Sequence, residues 1–81
     1  LRLTECIVKE ADFTDADLTG AVFTGADLSG SRFVNCDLTQ ADFNDATHYA
    51  IDVKQNWLKK TKFSLPEAVA LLKGLDIVLR E

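Results

Sequence analysis

Large apolar residues recur at every fifth position along most of this chain. Counting in fives from Leu3 to Phe63 gives thirteen positions, and all but His48 hold a large apolar side chain. We call each of these large residues the central residue of a five-residue unit. In nine consecutive units the residue two positions before it is small (Cys, Ala or Ser). A period of five fits neither the 3.6-residue period of an α-helix nor the two-residue period of a simple strand.

This pattern predicts a backbone that bends after every unit. The small residue and the central residue are two apart, so both point to one side of an extended segment, and the next such pair requires a turn. Four bends close a square coil of about twenty residues, and successive coils stack roughly 4.8 Å apart. Glycines at 20, 25 and 30 fall at corners. The expected core stack is Phe13, Leu18, Phe23, Leu28, Phe33, Leu38 and Phe43.

Aspartate often precedes the central residue, and this position faces outward in such a coil. Two interpretations remain open for these residues. Each carboxylate can bond nearby turn backbone, or the set can form an acidic surface that fits a basic groove through electrostatic complementarity. The residues concerned are Asp12, Asp17, Asp27, Asp37, Asp42 and Asp52.

The repeated units resemble the pentapeptide-repeat family, as ADFTD, ADLTG, AVFTG, ADLSG, SRFVN, CDLTQ and ADFND illustrate. The resemblance covers residues 1–46 closely and extends more weakly to about residue 65. It implies an all-β solenoid, a right-handed quadrilateral β-helix of about three coils, the number at which such stacks become independently stable. We expect this β-helix over residues 1–63, with its last coil distorted from about residue 46, where His48 interrupts the pattern.

Residues 64–81 predict a cap made of an α-helix and a short strand. Ser64 and Glu67 have the spacing of a capping box, and Pro66 suits the first helical turn. The tail from Leu75 to Arg80 alternates like a strand. We expect this segment to cover the open end of the solenoid and to form a homodimer; the alternative is complete absorption by its own coil. The apolar residues assigned to this role are Leu65, Val69, Leu71, Leu72, Leu75, Ile77 and Leu79.

The charge distribution and the composition exclude several classes of function. The net charge of −4 disfavours direct nucleic-acid binding, and no apolar run is long enough to span a membrane. Residues 1–50 carry nine acids against three bases. No catalytic, metal-ligand or phosphate-binding motif is present, so we expect no enzyme, no metal and no cofactor. The chain starts at Leu1 and holds no Met, which suggests a fragment or a processed chain.

The two cysteines, Cys6 and Cys36, both occupy the small inward position. They are thirty residues apart, about one and a half coils, and therefore fall on opposite faces. A disulfide needs Cα atoms within about 7 Å, so we expect two free, buried thiols. His48 is the single histidine and is expected in a loop or a partly buried position at the break.

The segment from Ala46 to Ile77 resembles the C-terminal end of Qnr-like pentapeptide-repeat proteins. This resemblance implies a cytoplasmic, non-enzymatic DNA mimic that dimerises through its C-terminal helix. It also implies binding to DNA gyrase or topoisomerase IV and protection against quinolones. Projecting loops of that group are not visible here, and three coils would span only about 15 Å. The alternative is a structural or protein–protein interaction module with an unrelated partner.

Overall fold

The backbone winds in coils of about twenty residues, and a computed structural model describes residues 1–65 and 67–75. Two short parallel strands, β1 (Asp42–Phe43) and β2 (Lys62–Phe63), pair with Phe43 opposite Phe63. Elsewhere, adjacent coils are joined by single parallel bridges between residues twenty apart, which are Arg2↔Val22, Ile7↔Asp27, Asp12↔Arg32, Asp17↔Asp37, Val22↔Asp42, Asp27↔Thr47 and Asp37↔Trp57. The chain therefore forms a four-walled β-solenoid, as the period of five predicts.

The interior is a stack of aromatic and leucine side chains. Rings in the same column lie parallel: the Phe23 and Phe43 centroids are 4.8 Å apart, and those of Phe13 and Phe33 are 4.9 Å apart. The two columns meet edge to face, with 5.9 Å between the Phe23 and Phe33 centroids. Both arrangements are favourable for aromatic pairs. Leu18, Leu28 and Leu38 complete the buried core.

Burial is complete only in the middle of the stack. Phe23 and Phe43 are fully buried, whereas Phe13 and Phe63 are only partly buried. In the first coil Ile7 is 73% exposed because it lies at the outward position of its unit, opposite Asp27. Cys6 lies at the inward position of the first coil, but it is exposed because no further coil covers it among the described residues. This corrects the prediction that both thiols are buried, while Cys36 is fully buried.

The stacking register breaks between residues 47 and 57, within the predicted distorted coil. His48 occupies the central position of its unit by count, but its backbone is left-handed at φ 58° and its side chain is 66% exposed, as a loop position at the break would be. Tyr49 is buried in its place, with its ring centroid 5.5 Å from that of Phe63. On the next wall Ile51, rather than Val53, bridges to Phe33. The larger apolar side chains Tyr49 and Ile51 thus fill the core where His48 would leave a polar ring.

Asn56 returns the chain to the regular register. Its side-chain amide donates to the carbonyl oxygens of Phe33 and Asp52, both at 2.9 Å, and its Oδ1 accepts the Cys36 N–H at 2.9 Å. The side chain therefore supplies hydrogen bonds between coils at a position where the regular unit has a small residue. Trp57 then pairs with Asp37 at the regular spacing.

Corner residues adopt left-handed backbone, and most of them are not glycine. Gly20, Gly25 and Gly30 have φ between 70° and 73°, as expected for corners. Eight other residues share this conformation: Glu5, Glu10, Asp15, Asn35, Gln40, Asp45, His48 and Lys60. For a residue other than glycine this conformation costs roughly 1–2 kcal/mol. The packing between stacked coils must therefore offset the strain of these corner residues.

The C-terminal helix is a 3₁₀ helix over Glu67–Leu75, and not the predicted α-helix. Leu71 packs against the solenoid core, so the helix contacts the last coil. The Ser64 hydroxyl accepts the N–H of Asp45 at 2.7 Å, which binds the start of this segment to the coil below. Beyond its first residue, the strand predicted over 75–80 lies outside the described residues, and with it Ile77 and Leu79.

Candidate protein-interaction surface

Six aspartates lie at the outward position of the walls, where the repeat predicts them. Asp12, Asp17 and Asp37 are exposed, while Asp27, Asp42 and Asp52 are partly exposed. Because the coil stacks in register, Asp17 and Asp37 are direct neighbours in adjacent coils. The solenoid therefore presents its carboxylates in rows rather than at scattered points.

All six carboxylates also stabilise the turn that follows them in the chain. In each case Oδ1 accepts the backbone N–H of the residue two positions later, at 2.8–3.1 Å. In four units a Thr or Ser hydroxyl donates to the same oxygen, as Thr39 does to Asp37 at 2.6 Å. The local interpretation of these aspartates thus holds throughout the set. It uses one oxygen of each carboxylate, so an outward acidic surface remains compatible with it.

These hydrogen bonds favour the ionised carboxylates. The hydroxyl and N–H of Thr14 and Thr19 lower the pKa of Asp12 and Asp17 below the ordinary value. Ser29, with a smaller contribution from His48, lowers the pKa of Asp27. The three carboxylates are therefore negatively charged at neutral pH.

The walls differ in how far this charge is offset by nearby bases. Arg32 is opposite Asp12, and Lys62 is opposite Asp42. His48 Nδ1 lies 3.1 Å from Asp27 Oδ1, within hydrogen-bond distance, and no lysine or arginine nitrogen lies within 4 Å of a carboxylate oxygen among the described residues. The remaining wall has Asp17, Asp37 and then Trp57, with no base in its bridge pairs. Its negative potential is the least offset of the four.

Trp57 is an exposed aromatic residue at the outward position of its unit, and the repeat pattern assigns it no role. Its side chain is 59% exposed, although its backbone bonds the coil beneath. The signal was available in the sequence, because tryptophan replaces the aspartate usual at the outward position of the unit. The described residues of the predicted cap also carry exposed apolar surface: Leu65 is 77% exposed and Val69 is 43% exposed. Leu71 and Leu72 are partly buried.

Other kinds of site find no support in residues 1–65 and 67–75. No group of three His, Cys, Asp or Glu residues there could hold a metal ion. Cys6 and Cys36 are free thiols. None of the described helical residues forms a segment long and apolar enough to cross a membrane.

Comparison with known proteins identifies the repeat and the fold. Residues 2–33 match the family model of pentapeptide repeats in eight copies, which confirms the repeat inferred from the sequence. A search of curated proteins by sequence gives no significant match. Among solved structures, full-length QnrB1, a plasmid-mediated fluoroquinolone resistance protein, matches with a TM-score of 0.64 and 15% identity over 94% of this chain. A trypsin-treated M102R form of QnrB1 matches with a TM-score of 0.47 and 26% identity over 98% of this chain and 41% of its own.

The comparisons establish the architecture of the solenoid. Pentapeptide repeats and the QnrB1 fold imply that the four-walled coil is a right-handed β-helix. The chain spans 40% of the length of the full-length QnrB1 chain that it matches. At 15% identity this likeness concerns the fold.

Proposed function

We propose that this chain, whose residues 2–33 are pentapeptide repeats, is a non-enzymatic interaction module of Qnr type that presents a DNA-like acidic surface to a type II topoisomerase. DNA gyrase or topoisomerase IV is the proposed partner, and protection against quinolones is the proposed consequence. Such a partner requires a cytoplasmic location. The proposal rests on the charge carried by the stacked walls.

Over residues 1–50, the charge density of the solenoid is close to that of duplex DNA. Residues 1–50 carry nine acids and three bases. They form two and a half coils of twenty residues, which rise about 12 Å at the spacing between strands. This gives one net negative charge per about 2 Å of axis, against roughly 1.7 Å in DNA. The molecule measures 35 × 23 × 23 Å, so it is a short rod.

A gyrase assay tests the proposal directly. Supercoiling by purified gyrase is measured with and without ciprofloxacin, at increasing concentrations of this chain. Inhibition of supercoiling, or recovery of supercoiling in the presence of the drug, supports the proposal. The effect should weaken as salt is raised, because the attraction between exposed charges is screened.

Charge variants separate a specific acidic surface from nonspecific effects. Asp17→Asn with Asp37→Asn removes two charges from the least offset wall, and Glu5→Gln with Glu10→Gln removes two charges from the corners of the first coil. The first pair should reduce the effect on gyrase more than the second. No effect of the parent chain on gyrase would contradict the topoisomerase proposal and favour the alternative, an interaction module with an unrelated partner.

We further propose that the C-terminal segment forms a homodimer. Leu65 and Val69 expose apolar side chains next to the last coil, and apolar surface of this kind favours association. Sedimentation equilibrium should give a dimer, and Leu65→Glu should shift it toward monomer. A monomer at high micromolar concentration would contradict this part of the proposal.

A further inference from the structure

A groove runs beside Trp57 on the wall that carries Asp17 and Asp37. Its volume is about 330 Å³, and its lining consists of Asp15, Ala16, Asp17, Asn35, Asp37 and Trp57. Its lining thus combines Trp57 with three aspartates and the polar side chain of Asn35. The groove is therefore an aromatic surface next to negative charge, and not an acidic cluster alone.

The backbone of Trp57 is fixed in the coil, which sets the point at which its side chain leaves the wall. Its N–H donates to the Cys36 carbonyl at 3.0 Å, and its carbonyl accepts the Leu38 N–H at 2.9 Å. The regular unit has aspartate at this outward position. Trp57 takes its place and is 59% exposed to solvent. Tryptophan is enriched among the residues that anchor protein interfaces.

The groove holds three carboxylates and no basic side chain among its lining residues. Asp17 and Asp37 are paired across adjacent coils, and like charges in such positions repel each other. Asp15 accepts a hydrogen bond from the Asn35 amide at 2.7 Å, which orients the corner. Within the described residues, the side-chain hydrogen bonds of Asp17 and Asp37 all use Oδ1, so Oδ2 of each is available to a partner.

We propose that this groove binds an arginine side chain of a basic protein partner, with the guanidinium stacked on Trp57 and hydrogen-bonded to Asp37 or Asp17. Arginine fits better than lysine, since its planar group both stacks on aromatic faces and donates two parallel hydrogen bonds to a carboxylate. A nucleic acid would be repelled by the same carboxylates. The inference rests on the proposed function, because it assumes a partner with a basic groove.

The other groove beside Trp57 indicates where the arginine binds. This second groove, of about 280 Å³, is lined by Asn35, Lys54, Gln55, Asn56 and Trp57. It contains a lysine and no carboxylate. A guanidinium is therefore attracted to the Asp37 side of the indole and repelled from the Lys54 side.

Calorimetric titration with two peptides of equal charge tests this inference. Capped tetra-arginine and capped tetra-lysine are titrated into the whole chain at low salt. Tetra-arginine should bind more tightly, and Trp57→Leu should weaken it by roughly two- to fivefold, the fold-change that corresponds to an exposed cation–π contact. Trp57→Phe should weaken it less. The single tryptophan of the chain adds a second measurement, since its fluorescence should change with tetra-arginine.

Matched charge variants complete the test. Asp37→Asn should weaken tetra-arginine binding as much as Trp57→Leu, whereas Asp42→Asn, which removes the same charge from another wall, should have little effect. Circular dichroism melting verifies that each variant remains folded. Equal affinities for the two peptides, or equal losses from Asp37→Asn and Asp42→Asn, would overturn the inference. Peptide binding does not involve gyrase, so arginine selectivity without any gyrase effect would contradict only the choice of partner.

Discussion

Replacing Phe23 by alanine should remove a large part of the stability of the solenoid. Phe23 is fully buried, stacks on Phe43 at 4.8 Å and meets Phe13 and Phe33 edge to face, both at 5.9 Å. Buried phenylalanine-to-alanine changes lower the free energy of unfolding by about 3–5 kcal/mol. A domain of this length has about 4–12 kcal/mol in total. We therefore expect Phe23→Ala to lower the free energy of unfolding by about 4 kcal/mol. If the parent's stability is at the lower end of its range, this loss would nearly unfold the protein.

Urea denaturation followed by far-UV circular dichroism measures this loss, with Phe13→Ala as the matched control. Phe13 lies in the first coil and is only partly buried, so its replacement should lower the free energy of unfolding by about 2 kcal/mol. Phe23→Leu keeps most of the volume and should lower it by less than about 1.5 kcal/mol. Equal losses for Phe23→Ala and Phe13→Ala, or a loss below about 1 kcal/mol for Phe23→Ala, would refute the reasoning that the middle of the stack carries the stability.

Three further predictions follow from the walls and corners. In the native protein a thiol reagent such as DTNB should label Cys6 quickly and Cys36 only on unfolding, because burial shields Cys36 and raises the pKa of its thiol; fast labelling of both would contradict the packing. The pKa values of Asp12, Asp17 and Asp27 are lowered in the folded protein, so their ionised forms stabilise it at pH values above the ordinary pKa of 3.8, and this stabilisation should be lost as the pH falls through the lower folded values. The free energy of unfolding of Asp17→Asn should therefore decrease less on acidification than that of the parent. An equal decrease in both proteins would contradict this assignment. Gln40→Gly should raise the free energy of unfolding by about 0.5 kcal/mol, because it relieves left-handed strain at φ 61° and offsets the added chain entropy; a decrease in urea denaturation would contradict it.

The regular part of the fold could be predicted because a single period sets it. Counting in fives places Phe23 and Phe43 in one column and Leu18 and Leu38 in another, and each of these side chains is buried. Counting fails at His48, where Tyr49 is buried instead. The sequence contains the warning, because a polar central residue is followed by two large apolar residues within three positions, at Tyr49 and Ile51.

Other features could not be predicted from the period. Left-handed corners at Gln40 and Lys60 require stacking to offset their strain, and no local signal in these residues indicates it. The apolar spacing after Ser64 indicates a helix without separating the α form from the observed 3₁₀ form, since both place residues three apart on nearly one face. For the candidate surface, the outward aspartates were predicted, whereas the groove beside Trp57 depends on the corner residues Asp15 and Asn35, which only the coil brings next to the wall.

The stacking of residues twenty apart underlies the core, the acidic rows and the Trp57 groove alike. A NOESY spectrum of the labelled protein tests it most directly. We predict cross-peaks between the rings of Phe23 and Phe43 and between those of Tyr49 and Phe63, whose centroids lie 4.8 Å and 5.5 Å apart. Cross-peaks that instead connect Phe23 only with residues a few positions away, as in a helix, would contradict the account.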